Sequence, residues 1–447
     1  MVAKINRLKI LNKLLTAFWL SAVFAFNALA EPSLLSDDES ETFVQNIIKP
    51  IFKVAGIAYD PNKIHLLNDM SLNAFVSDGN HLFVHTGTLL KAENANEISG
   101  ILAHETGHIA GGHIMRQKLK IQDLQTLSVI SLLAAGATAV ASGRGDAAMA
   151  VALGSHGSLL NSMMAYQMTE ERSADESAVK YLKALHQSPA GLKNFMKTIQ
   201  KNNRLSGYEE NPYFRTHPMG NERMAFFEKA IKDNGGKIES PYDKDFKFVQ
   251  AKLFAFLMPV DRTLKKYLTS DRSDVAEYAH AVVYFKQKKF DDAVQTMDLL
   301  IEKNPSNPYF YELKGQFLFE GGNPEAAKKA YQKALKLKPS SNETMLLYAE
   351  AALETQLNQK DLQDVINTLN KLQIKHETAR GWQLLAKAYF EQRREAESLY
   401  ASAKYSFLIG NVDTAKKQIK KALGLNPSEG LKLKLNDLEN EMDAEKE

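Results

Sequence analysis

Beyond Ser273 the sequence repeats itself at a fixed interval, and that restricts its fold more than any other feature. The stretch "AVVYFKQKKFDDAVQTMDLLIEKNP" aligns with "GQFLFEGGNPEAAKKAYQKALKLKP" at a shift of 34 residues. Ala281 falls on Gly315, Ala293 on Ala327 and Pro305 on Pro339, and the same spacing returns in Ala403, Ala415 and Pro427. Small residues at such offsets let two helices approach closely, and the proline closes the second one. One such pair cannot bury its apolar face alone, so neighbouring pairs must stack into a solenoid.

The interval and its small residues are the tetratricopeptide (TPR) pattern. "GWQLLAKAYF" (Gly381 to Phe390) reads as a further first helix, and Glu343 to Leu372 as a repeat with an irregular loop. A solenoid offers a concave binding surface, so chemistry has to come from the first half of the chain. That half opens with Lys4, Arg7, Lys9 and Lys13, the apolar run "LLTAFWLSAVFAF" and the small-x-small stretch Ala28-Leu29-Ala30. This is the layout of a secretory signal peptide cleaved after Ala30; an uncleaved anchor is the rival reading. Removing residues 1–30 takes away four positive charges and changes the net charge from +3 to −1, which gives no electrostatic reason to expect nucleic acid. The chain has no cysteine, so thiolate metal sites and cysteine nucleophiles are excluded and any metal must be held by His, Asp or Glu.

Between these ends, "AFVSDGNHLFVHTG" (Ala74 to Gly87) predicts strand, Asp-Gly turn, strand. Ile98, Ile101, Leu102 and Ile109 predict one helix from Glu93 to about Leu119. Residues 127–153 are mostly uncharged and Ala-rich, interrupted by "GRGD". They suit a pair of helices packed in the core, a helical hairpin that dips into a membrane surface, or a transmembrane span, for which the run is short. Pro241 and Pro259 mark residues 235–272 as a linker holding one helix.

"HETGHIAGGH" (His104 to His113) carries the chemistry. His104 and His108 are four apart, so on a helix both rings leave the same face and converge on one ion. Glu105 can then reach a water beside the metal, the general base of an HExxH protease. The metzincin pattern HExxHxxGxxH needs its third histidine at residue 114, but the next one is His113; a slip of one residue turns a helical side chain by about 100°. The third ligand is therefore sought on a second helix, "YQMTEERSADESAVKYL", where Glu171 and Asp175 share a face and Glu170 is an equally good chemical candidate. His113 reads as structural.

"LAHETGHIAGGHIMR" followed by an ExxAD helix resembles the gluzincins of the HtpX and CaaX-prenyl-protease group, as does "NAFVSDGNHLFVHTGTLL" before the zinc helix. A signal peptide and C-terminal repeats point to the periplasmic, BepA-like branch. The resemblance implies a Zn2+ ion on His104, His108 and Glu171, Glu105 as base and Asp175 as hydrogen-bond partner of a ligand histidine. In "RTHPMGNER", His217 would steady the oxyanion or occupy the fourth zinc position at rest, and Arg223 would lie near the metal. It further implies a metalloendopeptidase acting on unfolded or misassembled outer-membrane proteins, which lie along an edge strand at Asn73–Leu90. The repeats would engage the outer-membrane assembly machinery. A repeat-led chaperone in which proteolysis is minor is the alternative. The expected fold is mainly α: signal peptide 1–30, an α+β metalloprotease domain with a small β-sheet at 31–235, a linker at 236–272, and a TPR α-solenoid at 273–447.

Overall fold

The computed structural model describes residues 33–142, 145–206, 213, 217–218, 221–234 and 240–444; the expected signal peptide lies outside them. Helix α1 (Asp38–Ala55) starts where the Asp37 side chain accepts from the Ser40 amide, and it buries Phe43, Val44, Ile47, Ile48 and Ile51 at helical spacing. That stripe covers a four-stranded sheet of β1 (Leu34–Leu35), β2 (Ile64–Leu67), β3 (Ala74–Ser77) and β4 (His81–His85) in the order β1-β2-β4-β3. The predicted hairpin is present, with Ser77 opposite His81. Gly79 and Asn80 between the strands take φ of 72° and 64°, left-handed values that Gly and Asn adopt most readily. β4 is central, parallel to β2 and antiparallel to β3, so the expected edge strand at Asn73–Leu90 reduces to β3. Turning out to be interior is a consequence of β4 having a partner on each side.

After α2 (Thr86–Lys91), the helix α3 (Ala95–Gly111) begins at Asn94, whose side chain accepts from the Glu97 amide. It does not run on to Leu119. Gly112 adopts φ 64° and its amide closes on the carbonyls of His108 and Ile109, which ends the helix and restarts the chain as α4 (His113–Ser142). Apolar periodicity does not register such a break, because the hydrophobic pattern carries on through it. α4 packs along α5 (Gly145–Ala184). Leu127, Val129, Ile130 and Leu133 on α4 are exposed, so the core reading of residues 127–153 fails for these four. Among the described residues no helix is long and apolar enough to cross a membrane.

Helices α6 (Ala190–Ser206) and α7 (Asn221–Asn234) complete the first half. The expected linker contains two helices, α8 (Asp243–Leu257) and α9 (Val260–Lys266). Phe246, Val249 and Leu253 on one face of α8 belong to the core under the sheet. Phe248, Ala251 and Ala255 on the other face belong to the first core of the repeats. Among the described residues the repeats then run as ten helices, α10 (Asp274–Lys286) to α19 (Glu429–Ala444). Ala281, Ala293, Ala327, Ala403 and Ala415 are fully buried at the helix contacts. At Gly315 a Cβ would stand 2.6 Å from the Tyr331 ring, which explains why glycine replaces alanine there.

A buried charge cluster joins the halves. Lys252 on α8 lies 2.5 Å from Asp37 and 3.4 Å from Glu39 at the start of α1, and 3.9 Å from Glu312 in the repeats. Tyr278 donates to Glu39 and Thr344 to Glu312, both at 2.8 Å. Burial outweighs the pull of Lys252 and raises both Glu39 and Glu312 to about 7. A carboxyl raised on folding favours the native state most below its unfolded value of 4.5, and that advantage is lost as pH rises through about 7. The unfolding midpoint is therefore expected to fall between pH 5 and pH 8. Glu312→Gln, which cannot ionise, should flatten the dependence in scanning calorimetry, and an unchanged slope would remove Glu312 from the account.

Candidate metal centre

The two motif helices touch backbone to backbone. A Cβ on Gly107 would meet the Ala174 carbonyl oxygen at 2.8 Å and its Cα at 2.9 Å. The small residues inside HETGH and ERSAD are thus what bring α3 and α5 close enough for their polar side chains to meet. His104, Glu105, Glu171 and Asp175 are at most 2% exposed, and His108, His217 and Arg223 are also buried. Of the two glutamates, Glu171 turns inward, while Glu170 turns to His113 and Arg116.

One nitrogen each from His104, His108 and His217 and one oxygen from Glu171 lie within 4.8 Å of one another. His104 Nε2 is 3.1 Å from His108 Nε2 and 3.4 Å from Glu171 Oε2, and His108 Nε2 is 3.3 Å from Glu171 Oε1. His217 Nδ1 completes the group, 3.4 Å from His104 Nε2 and 2.8 Å from Glu171 Oε1. A tetrahedral zinc ion with ligands at 2.0–2.1 Å spaces its donor atoms by about 3.3 Å, so the donor set fits the ion. Two imidazole nitrogens facing each other this closely need a proton or a cation between them. Glu105 Oε1 stands 3.5 Å from His217 Nε2 on the side of a 200 Å³ cavity lined by Phe75 and Val76 of β3, Ile114 and Tyr166.

Around the donors lies a second set of contacts. Asp175 Oδ1 is 2.8 Å from His104 Nδ1. Arg223 donates to both oxygens of Asp175, Nε to Oδ2 at 2.6 Å and Nη2 to Oδ1 at 2.8 Å, and its Nη1 reaches Glu171 Oε2 at 2.8 Å. Burial alone would push both carboxyls up. The proximity of His217 and the hydrogen bonds from His104, His108 and His217 hold Glu171 well below its ordinary value, and Arg223 chiefly holds Asp175 down. Burial pulls His104 down, but Asp175 and Glu171 outweigh it and take it to about 10. Burial takes His108 down to about 3 against the hydrogen bond to Glu171, with His104 and His217 adding to the fall. Glu105 is raised, mainly by burial.

Every sequence-predicted site residue is thus in one buried group. Sequence reasoning gave Tyr213 no part, yet its ring lies 4.4 Å from that of His217. It also gave His113 no more than a structural place, although its Nδ1 is 2.9 Å from His108 Nδ1. Nothing in the local pattern marks Tyr213, whereas the pair Gly111-Gly112 before His113 was a usable signal.

A buried donor set on a helical HExxH, in an α+β half joined to helical repeats, defines a zinc metallopeptidase with a protein-binding array. Residues 38–231 match peptidase family M48, and residues 278–342 and 318–371 match the tetratricopeptide repeat. The chain therefore carries an M48 metallopeptidase domain followed by tetratricopeptide repeats. It is 22% identical over 421 residues to the beta-barrel assembly-enhancing protease of Yersinia pestis, covering 92% of this chain and 83% of that one. It is 21% identical over 394 residues to the protein of that name from Escherichia coli K12, covering 86% and 78%. Among solved structures it is similar to YrrB, a TPR protein with an unusual peptide-binding site, at a TM-score of 0.33 and 16% identity over 43% of this chain and 97% of that one.

Proposed function

We propose that this chain is an exported, periplasmic zinc endopeptidase that acts on unfolded or misassembled outer-membrane β-barrel proteins. The observation that carries the enzymatic part is the buried convergence of His104, His108, Glu171 and His217, with donor atoms within 4.8 Å of one another, beside Glu105. Export is supported by the signal-peptide pattern of residues 1–30, and the substrate class by the names of the two relatives. The repeats would dock on the outer-membrane assembly machinery. The exposed Leu127, Val129, Ile130 and Leu133 suit contact with a membrane surface.

In this reading His104, His108 and Glu171 hold the metal. When bound, zinc supplies Lewis-acid polarisation of a peptide carbonyl and makes a nearby water more acidic. Glu105 takes the proton of that water and delivers it to the departing amine. Asp175 fixes the His104 ring, and Arg223 fixes Asp175 and Glu171 together. A substrate strand adds to β3, the edge strand of the sheet whose Phe75 and Val76 line the cavity, by main-chain hydrogen bonds. Such pairing reads little sequence, so an exposed strand edge in the substrate becomes the selecting feature.

His217 Nδ1 occupies the fourth corner of the donor group, so we assign the described state to a closed enzyme. His217→Ala is expected to raise the degradation rate of an unfolded outer-membrane β-barrel protein severalfold in the presence of zinc. A fall of about 10²–10³-fold instead would assign His217 to stabilising the oxyanion. The chaperone alternative predicts that assembly of such a protein is indifferent to Glu105→Gln, whereas the protease reading predicts that its clearance stops.

A further inference from the structure

The buried histidine at the end of the zinc motif has no part in the mechanism above. His113 is 3% exposed, and its ring meets that of His108 edge-on at 4.8 Å and 86°. Its Nδ1 lies 2.9 Å from His108 Nδ1, the nitrogen of His108 that faces away from the donor group. Its Nε2 lies 2.8 Å from Glu170 Oε2, a charge contact rather than a hydrogen bond, and that oxygen accepts from Arg116 Nη2 at 2.7 Å. The carboxylate beside Nε2 favours the proton there, which leaves Nδ1 of His113 as an acceptor. His108 must then carry its own proton on Nδ1 and present a bare Nε2 to the metal.

The backbone is built for this ring. Gly112 takes the left-handed conformation that ends α3 and starts α4 at His113. A Cβ on Gly111 would collide with the His113 ring, so only glycine leaves room for it across the helix end. The "GGH" of the motif is accounted for by one side chain. The arrangement parallels the other ligand: His104 leans on Asp175, which Arg223 holds, and His108 leans through His113 on Glu170, which Arg116 holds.

We propose that His113 is a positioning residue of the metal centre, fixing the tautomer and orientation of His108 and tying that ligand to Glu170 and Arg116 at the foot of the α4–α5 pair. Through it, the zinc-binding helix and the pair that walls the cavity are held in one register. The assignment rests on metal binding by His104, His108 and Glu171.

Zinc affinity of the full chain, measured by competition with a chromophoric chelator, tests it, with cobalt(II) absorption as the second readout. His113→Leu keeps the bulk and loses the acceptor; zinc affinity is expected to fall about 10- to 100-fold. His113→Asn sets an oxygen near the position of Nδ1 and should recover much of that loss and the parent's cobalt spectrum. Gly111→Ala, which displaces the ring but retains the histidine, should resemble His113→Leu. A role in packing alone gives the opposite order, since leucine suits a buried apolar slot better than asparagine. His113→Leu within twofold of the parent, or tighter than His113→Asn, overturns the assignment. Thermal unfolding of the metal-free chains shows whether a variant is folded, and if His113→Leu is not, the comparison of Gly111→Ala with the parent decides in the same way. A parent chain that takes up no zinc overturns the metal reading itself and this inference with it.

Discussion

The chain with Glu105 replaced by Gln is expected to bind zinc as the parent does and to cleave peptide bonds about 10²- to 10⁴-fold more slowly. Glu105 is 1% exposed and faces the cavity beside the donor group, yet it is not one of the four donors. Gln has nearly its shape and can still hold a water, but it cannot take a proton from one. The loss should therefore appear in kcat, with KM little changed, because a substrate strand lying on β3 makes the same contacts in both chains. Degradation of an unfolded outer-membrane β-barrel protein, followed alongside zinc content, measures both quantities. A Glu105→Gln chain that cleaves at the parent's rate would end the assignment of Glu105 as base. One that has lost zinc would move Glu105 into the ligand set.

Arg223→Ala is expected to destabilise the fold by about 3–5 kcal/mol, the cost of leaving buried charges without their partner. Arg223 is 7% exposed and contacts Asp175 through Nε and Nη2 and Glu171 through Nη1. Removing it leaves two carboxylates, at most 2% exposed, facing each other with less positive charge between them. Arg223→Lys should recover only part of the stability, because one ammonium cannot match a forked, bidentate contact. Urea denaturation of metal-free chains provides the measurement, since a bound ion would mask the loss. A change below about 1 kcal/mol would mean that the two carboxyls become protonated or rehydrated at little cost.

How legible these features were in the sequence follows the range of the interactions. Spacing of four along a helix is local, so His104 with His108 and Glu171 with Asp175 were readable as shared faces. The repeats were readable because Ala281 and Gly315 do the same job 34 residues apart. Spacing alone did not separate Glu170 from Glu171, since both are acids on one helix; the ExxAD resemblance favoured Glu171, and it is Glu171 that turns toward α3. Arg223 had no identifiable partner, because Asp175 lies 48 residues away in sequence. Sheet order was hidden for the same reason: β4 joins β2 in a parallel pairing that no turn announces. The break at Gly112 was written in the letters but outvoted by an apolar pattern that continues across it.

The helix at Asp243–Leu257 gives one half of its surface to the core of the peptidase and the other to the core of the repeats. Recombination that exchanged the repeat array at residue 235 would leave a hydrophobic trough where Phe246, Val249 and Leu253 had been, and the incoming array would have no first layer to stack on. The two halves can be exchanged between proteins only where the incoming half matches the face of this helix that it must cover.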